Sequence, residues 1–254
     1  MKPRLIALVD LDDSLFQTLR KCPPDVATHD LSVMAVDRQG NPLSFATPRQ
    51  KNWIDWLQES TVMVPVTARS FDALSRVNLT FEYAVAAHGG IILRGGMLPC
   101  QGWHDRMTAA AAFSKTDLDR LAHLLHEAAQ ACGEDINVRT ISEGSLPLYL
   151  VAKHVDPAHE AALHALAHDF RSDVPSDWTF HINGNNVAFL PPSLGKHHAV
   201  AALLPELRSV YPDLPVLGLG DSLTDAPFLA LCDFIAMPGR SQLAGHALHG
   251  LLPT

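Results

Sequence analysis

Cysteine is scarce in this chain. Four occur in 254 residues (Cys22, Cys100, Cys132 and Cys232), and none stands in a C-x-x-C spacing. That excludes a disulfide-framed scaffold and points to reduced thiols in a cytoplasmic protein. Long apolar runs are also missing. A membrane-spanning helix needs about 20 apolar residues, and no stretch comes near that length. The first apolar run stops at Asp10, too early for a secretory leader with its cleavage site. Positive charge is in deficit, with 19 basic against 27 acidic residues and a net charge of −8. No basic run follows a phosphate backbone, so nucleic acid is not an expected partner. Histidine is frequent, but no H-E-x-x-H spacing occurs. His123, His126, His159, His164 and His168 fall in Ala/Leu-rich helical patterns and read as solvated helix faces. Internal repeats and low-complexity segments are absent.

What is present is ordinary globular material, 47% hydrophobic and 18% charged, long enough for one or two domains. The informative stretch is Leu5-Ile-Ala-Leu-Val-Asp10-Leu-Asp12-Asp13-Ser14. A strand-length apolar run ends abruptly in carboxylates. In a parallel α/β sheet the carboxyl ends of strands are where ligands bind. Asp-x-Asp places Asp10 and Asp12 on one side of an extended segment. Crowded acids repel one another unless a cation sits among them, and one or two carboxylates suit Mg²⁺. A carboxylate in that position can also attack phosphorus. Taken alone, the same residues also read as a solvated, Asp-rich turn.

Three later segments repeat the pattern. Val62–Val66 is an apolar run followed by Thr67 and Arg69. Gly195-Lys196 opens a helical pattern. Val216–Gly220 is a third apolar run, ending in Asp221-Ser222 and Asp225. Each has a plain structural reading: a Thr helix cap, or a strand-to-helix turn with a cap residue. The order Asp-x-Asp, Thr, Lys, Gly-Asp-Ser-x-x-Asp resembles the haloacid dehalogenase superfamily of phosphohydrolases over residues 5–90 and 190–240. The layout is similar to its type IIB cap group, which includes Cof-like, sucrose-phosphate and mannosyl-phosphoglycerate phosphatases.

The resemblance implies a fold: a doubly wound parallel-sheet α/β core, residues 1–90 and 188–254, interrupted by an inserted α+β cap domain, residues 91–187. It also implies a chemistry. Asp10 is the nucleophile that forms an aspartyl-phosphate, and Asp12 is the general acid and then the base. Thr67 donates to a phosphate oxygen, and Lys196 neutralises phosphate charge and orients Asp10. Mg²⁺ is the cofactor, held by Asp10, the backbone carbonyl of Asp12, and Asp221, with Asp225 holding Asp221 or a ligating water. Ser14 keeps a hydroxyl where the family often has Thr. Arg69 follows Thr67 across Ala68, where relatives have Gly; it either binds an anionic group or forms a surface ion pair. His88-Gly89-Gly90 stands where relatives often have Asn-Gly-Ala, and binds a ligand or simply turns the chain.

In the insertion, His181, Asn183, Asn185 and Asn186 flank Gly184. They suit sugar hydroxyls, although a hairpin with turn-favouring Asn is the preferred reading. The expected substrate is a small phosphorylated metabolite, a sugar phosphate above all, and the expected state is monomer or homodimer. A phosphomutase shares the same fold and intermediate. A phosphoacceptor signalling domain also combines acids, Thr and Lys, but the recurrence of acids after Lys196 and the large insertion argue against it.

Periodicity predicts strands at 5–9, 62–66, 83–87, 216–220 and 234–237. It predicts helices at 48–57, 70–79, 116–132, 157–170 and 196–204, with Pro205 restarting a second segment. Residues 15–45 read as mixed, with a short hairpin around Val33–Val36 and Gly40-Asn41, and strand pairs are expected at 91–98, 136–155 and 178–190.

Overall fold

The structure, a computed structural model, describes residues 2–182 and 184–249. In chain order the elements are β1 (Leu5–Val9), β2 (Gln17–Thr18), β3 (Ser32–Val36), β4 (Pro42–Ala46), α1 (Pro48–Ser60), β5 (Thr61–Pro65), α2 (Phe71–Leu74), β6 (Ala84–Ala86), β7 (Ile91–Arg94), β8 (Leu98–Pro99) and α3 (Gln101–Ala131). There follow β9 (Ile136–Glu143), β10 (Leu146–His154), α4 (Glu160–Phe170), β11 (Thr179–Ile182), β12 (Val187–Leu190), α5 (Lys196–Val210), β13 (Val216–Leu219), α6 (Ala226–Leu229), β14 (Phe234–Ala236) and α7 (Gln242–Ala247). The chain divides into two compact units, Met1–Trp103 with Lys196–Thr254, and His104–Gly195.

The first unit is built on a parallel sheet of order β14-β13-β1-β5. β1 lies in its interior, in register with Thr61–Pro65 on one side and Val216–Leu219 on the other. Ile6, Ala7, Leu8 and Val9 are all buried. An uninterrupted apolar run is what a strand covered on both faces requires. Pro65 is the last residue of β5, where a missing N–H costs the ladder little. A parallel bridge between Val66 and Val85 continues the sheet toward β6. α1 begins with a capping box, in which Thr47 Oγ1 accepts from the Gln50 backbone and Gln50 Oε1 accepts from the Thr47 backbone. Its buried side carries Ile54 and Leu57.

The second unit has an antiparallel sheet of order β11-β12-β10-β9. Its core gathers Leu118, Leu121 and Leu125 of α3, Leu163, Ala167 and Phe170 of α4, and Leu150, Val187 and Phe189 of the sheet.

Several expectations shift. The insertion does not begin at 91. β7 pairs antiparallel with β6, and β8 with β7, so the hairpin's hydrogen bonds hold it to the first unit. At the other end, β12 pairs with β10 and β11 and stays with the second. α3 starts at Gln101 instead of Thr116; buried Trp103, Met107 and Ala111 extend its stripe at i, i+4 and i+8. α2 stops at Leu74 instead of Leu79. The chain beyond it pairs with β3 through the Ala35–Val77 bridge and the Asn78 N–H to Met34 carbonyl bond. α5 runs unbroken through Pro205. Buried Leu203, Leu204 and Leu207 outweigh the lost hydrogen bond and ring clash, about 3 kcal/mol for an interior proline. Among the described residues no helix is long and apolar enough to cross a membrane, and all four cysteines are free.

Candidate functional site

The carboxyl ends of β1, β5 and β13 are stapled in line. The Asp10 N–H donates to the Leu219 carbonyl at 2.8 Å, and the Val66 N–H to the Val9 carbonyl at 2.7 Å. Asp10, Thr67 and Asp221 therefore leave the sheet at one edge of the first unit. After Asp10 the chain turns tightly: Asp13 takes φ 64°, and the Leu15 N–H donates to the Leu11 carbonyl at 2.9 Å. This turn brings Ser14 back over Asp10. Its Oγ donates to Asp10 Oδ2 at 3.0 Å and lies 3.4 Å from Asp221 Oδ1.

Lys196 is the first residue of α5 and is buried. Its Nζ donates to Asp10 Oδ1 at 2.6 Å and to Asp225 Oδ1 at 2.7 Å. Asp225 is fully engaged. Its Oδ2 accepts from the Asp221 and Ser222 N–H groups at 3.2 and 3.0 Å and from Ser222 Oγ at 2.8 Å. Gly220 is needed for this approach, since a Cβ there would lie 2.7 Å from the Asp225 Cβ.

The electrostatics follow from burial. Desolvation pushes the Asp10 carboxyl well up; Lys196 pulls it back, and the Asp225 and Asp221 charges push it further up. Asp221 is pushed up to about 6 by burial and by the Asp225 and Asp13 charges. Burial also opposes ionised Asp225, but Lys196 and the Ser222 hydrogen bonds outweigh it and hold that carboxyl below its usual range. Desolvation likewise works against a charged Lys196, but Asp10 and Asp225 more than reverse it.

This donor set fits a hard divalent cation. Asp10, Asp221 and Asp225 each offer one carboxylate oxygen, all within 4.8 Å of one another. Among the described residues the Asp221 carboxylate accepts from Ser14 alone, so Asp10 and Asp221 have oxygens to give. Asp225 has its oxygens committed to Lys196, Ser222 and the Asp221 N–H, which makes it the holder of the site. Two raised carboxyls facing each other are what an added positive charge would relieve.

Asp12 and Arg69 form a second constellation. Arg69 Nε and Nη2 donate to the two Asp12 oxygens, each at 2.7 Å, and Nη2 also donates to Ser44 Oγ at 2.9 Å. The guanidinium lies 5.3 Å from the Phe16 ring centroid. The structure places Arg69 in an ion pair, its own side chain 11% exposed and that of Asp12 43% exposed. Both Asp12 carboxylate oxygens are engaged in it, so its backbone carbonyl is what remains for a cation. Thr67 is buried and its Oγ1 accepts from the Arg69 N–H at 3.1 Å, so part of its role is to shape this loop.

The loop after β6 is stapled beside it. The Ala87 N–H donates to the Arg69 carbonyl and the His88 N–H to the Thr67 carbonyl, at 2.7 and 3.1 Å. Ala87, His88 and Gly89 all have positive φ, of 50°, 54° and 98°. Such a run costs roughly 1–3 kcal/mol per non-glycine residue and persists only where surroundings enforce it. Trp103 Nε1 donates to the Gly89 carbonyl at 2.9 Å.

Of the insertion's residues, Asn186 precedes β12 in the second unit, and Asn183 lies outside the described residues. Asn185 is structural: it brackets the His154 backbone, accepting from its N–H and donating to its carbonyl. His159 and His164 are not free helix faces. His159 lies near Glu134, and His164 Nε2 lies 2.8 Å from the Gly184 carbonyl. Sequence reasoning missed Ser44, which reaches Arg69 from β4 with no local signal. It also gave Ser222 no role, although the Gly-Asp-Ser turn pointed to it.

No family model matches the sequence, and no curated protein does either. Solved structures do. The Synechocystis sucrose-phosphatase, solved with sucrose and phosphate, superposes with a TM-score of 0.50 at 15% identity, over 97% of each chain. The C-terminal domain of the Candida albicans trehalose-6-phosphate phosphatase gives 0.50 at 14% identity, over 89% of this chain and 72% of that one. An N-terminally truncated Plasmodium falciparum IMP-nucleotidase gives 0.53 at 9% identity, over 93% of this chain and 65% of that one. At these identities the likeness is one of architecture: the chain has the mixed α/β fold of these phosphatases, a parallel-sheet core interrupted by an inserted α+β unit.

Proposed function

We propose that this protein is a Mg²⁺-dependent phosphatase that hydrolyses a small phosphorylated metabolite, a sugar phosphate above all, through an aspartyl-phosphate on Asp10. The observation that carries this reading is the buried Asp10–Lys196–Asp225 chain beside Asp221 and Ser14. It holds a carboxylate that is oriented, desolvated and short of positive charge. Two of the superposed proteins are named for sugar phosphates, and the third for a nucleotide.

The two oxygens of Asp10 are differentiated by their partners. Oδ2 lies on the Ser14 and Asp221 side and suits the cation. Oδ1 faces Lys196, where an incoming phosphoryl group would have its charge neutralised. Mg²⁺, held by Asp10, Asp221 and the Asp12 carbonyl, would supply charge neutralisation for the phosphate oxygens. The Asp10 carboxylate attacks phosphorus and the bond to the ester oxygen breaks. Asp12, as the carboxylic acid, gives that oxygen its proton. Water then attacks the phosphorus of the aspartyl-phosphate and loses a proton to Asp12. Phosphate leaves and Asp10 is restored. Asp12 can act in this way only if Arg69 yields one of its two hydrogen bonds as substrate binds. Arg69 is thus the group that positions the acid.

The test is phosphate release from p-nitrophenyl phosphate and a panel of phosphorylated sugars and glycerates. It is run with Mg²⁺, with EDTA, and on Asp10→Asn. Expected is metal-dependent release, reduced by roughly a thousandfold or more in the variant because the nucleophile is gone. Undiminished release by Asp10→Asn would overturn the assignment. Interconversion of a sugar phosphate without release would point to a mutase.

A further inference from the structure

A second cluster of metal-ligating side chains lies in the His104–Gly195 unit, and its case does not depend on the reading of Asp10. Glu134 sits between α3 and β9. His154 closes β10. His159 ends the short 3-10 turn, Pro157–His159, that leads into α4. His154 Nε2 lies 3.0 Å from Glu134 Oε2, and His159 Nδ1 lies 3.6 Å from the same oxygen. The two imidazoles stack with centroids 5.0 Å apart. One donor atom from each of the three residues falls within 4.8 Å of the others.

An ordinary ion pair needs one imidazole and one carboxylate. Here two imidazoles converge on a single oxygen, and the more buried of them is held from several sides. The His154 N–H donates to Asn185 Oδ1 at 3.0 Å, and its carbonyl accepts from Asn185 Nδ2 at 2.7 Å. His154 Nδ1 lies 2.8 Å from the Asp156 carbonyl and 3.0 Å from the Asp156 nitrogen. That arrangement serves two tautomers. With Nδ1 accepting from the Asp156 N–H, Nε2–H donates to Glu134. With Nδ1–H donating to the Asp156 carbonyl, the Nε2 lone pair points into the cluster. The second is the arrangement a metal-bound imidazole takes, its outer nitrogen fixed by a backbone carbonyl.

We propose that Glu134, His154 and His159 bind a divalent transition ion of the zinc class, with water completing the coordination. Nitrogen and carboxylate donors at about 2.0–2.1 Å from a tetrahedral ion stand roughly 3.3 Å apart. The observed 3.0 and 3.6 Å bracket that spacing. His159, 57% exposed on its turn, has room to close the remaining gap. Imidazole donors select zinc, nickel, cobalt or copper over Mg²⁺, so the site is chemically separate from the all-oxygen one at Asp10. An ion here joins the end of α3, the end of β10 and the entry to α4, fastening one edge of the unit.

The experiment uses the intact protein, stripped of metal and returned to saturating Mg²⁺. Zn²⁺ is titrated by calorimetry, and Co²⁺ by its visible absorption. Expected is one tightly bound ion per chain with a tetrahedral Co²⁺ spectrum, and a higher thermal midpoint with Zn²⁺. Both are lost in His159→Ala and Glu134→Gln. His123→Ala removes an exposed helix imidazole near Glu127 and should change nothing. His154 is buried, so His159→Ala, on an exposed turn, decides the matter if His154→Ala does not fold. Unchanged stoichiometry in His159→Ala, or equal loss in His123→Ala, would overturn the proposal.

Discussion

Lys196→Met tests the central claim about the site, that one ammonium compensates two buried carboxylates, holding Asp225 below its usual range and countering the burial of Asp10. The substitution keeps most of the aliphatic stem and removes the charge. Lys196 sits 2.6 Å from Asp10 and 2.7 Å from Asp225, and all three are buried. Removing one partner of a buried ionic group leaves uncompensated charge and costs about 3–5 kcal/mol. In a chain of this size each kcal/mol lowers the thermal midpoint by about 2–4 °C, so the midpoint should fall by roughly 6 °C or more. Urea unfolding in EDTA measures the loss directly. The deficit should also depend on pH. Without the ammonium, the Asp10 carboxyl, already pushed up by burial, rises further, and that of Asp225, held down by Lys196 in the wild type, rises too. A native state that binds more protons loses stability as pH rises. The variant's deficit should therefore shrink as pH falls. Lys196→Met combined with Asp225→Asn, which deletes one of the stranded charges, should recover part of the loss at neutral pH. A deficit below about 1 kcal/mol, the level of a surface pair, would refute the reasoning.

Gly220→Ala drives a Cβ to 2.7 Å from Asp225; it should cost about 1–3 kcal/mol as an overpacked position, and lower turnover because Asp225 holds Lys196. Gly245→Ala, where a Cβ meets nothing within 4 Å, is the control, and equal effects on both would refute the steric account. Arg69→Lys keeps the positive charge but loses the two-pronged grip on Asp12. Turnover should drop by roughly tenfold to a hundredfold through misplacement of the acid, with KM for substrate much less changed. A variant with full turnover would show that Arg69 does not position Asp12.

The sheet and its acidic edge were legible because both are local signals. An apolar run that stops at a carboxylate states in one segment that a buried strand ends there and that something charged waits at its end. The motif positions Asp10, Thr67, Lys196 and Asp221 could be ordered along the chain without knowing any distance. Long-range pairing was not legible. Ser70–Leu79 has helical periodicity, yet residues beyond Leu74 pair with β3, more than thirty residues away in sequence. The 91–99 hairpin follows a change in composition, yet its backbone bonds hold it to the first unit. Arg69 was undecidable for the same reason, since its partners Asp12 and Ser44 come from two other segments. The Glu134–His154–His159 cluster has no consecutive spacing at all. It exists because a helix end, a strand end and a 3-10 turn meet.

The arrangement at Asp10 also says why a site of this kind has to be assembled from several strand ends. A nucleophilic carboxylate must be ionised in a place dry enough for electrostatic stabilisation to matter, and dryness itself opposes ionisation. One neighbouring cation resolves that conflict for one carboxylate. Here Lys196 is shared by Asp10 and Asp225, and Asp225 in turn is tied to the Asp221 and Ser222 backbone. The arrangement leaves Asp221 and the far oxygen of Asp10 under-compensated, where the Ser14 turn and the β13 turn approach each other. Had Asp225 been replaced by a neutral residue, Lys196 could satisfy Asp10 completely, and the pull on a further cation would weaken. The spare acid is thus what keeps the site demanding positive charge, and that demand is what a bound divalent ion and an incoming phosphoryl group would have to negotiate together.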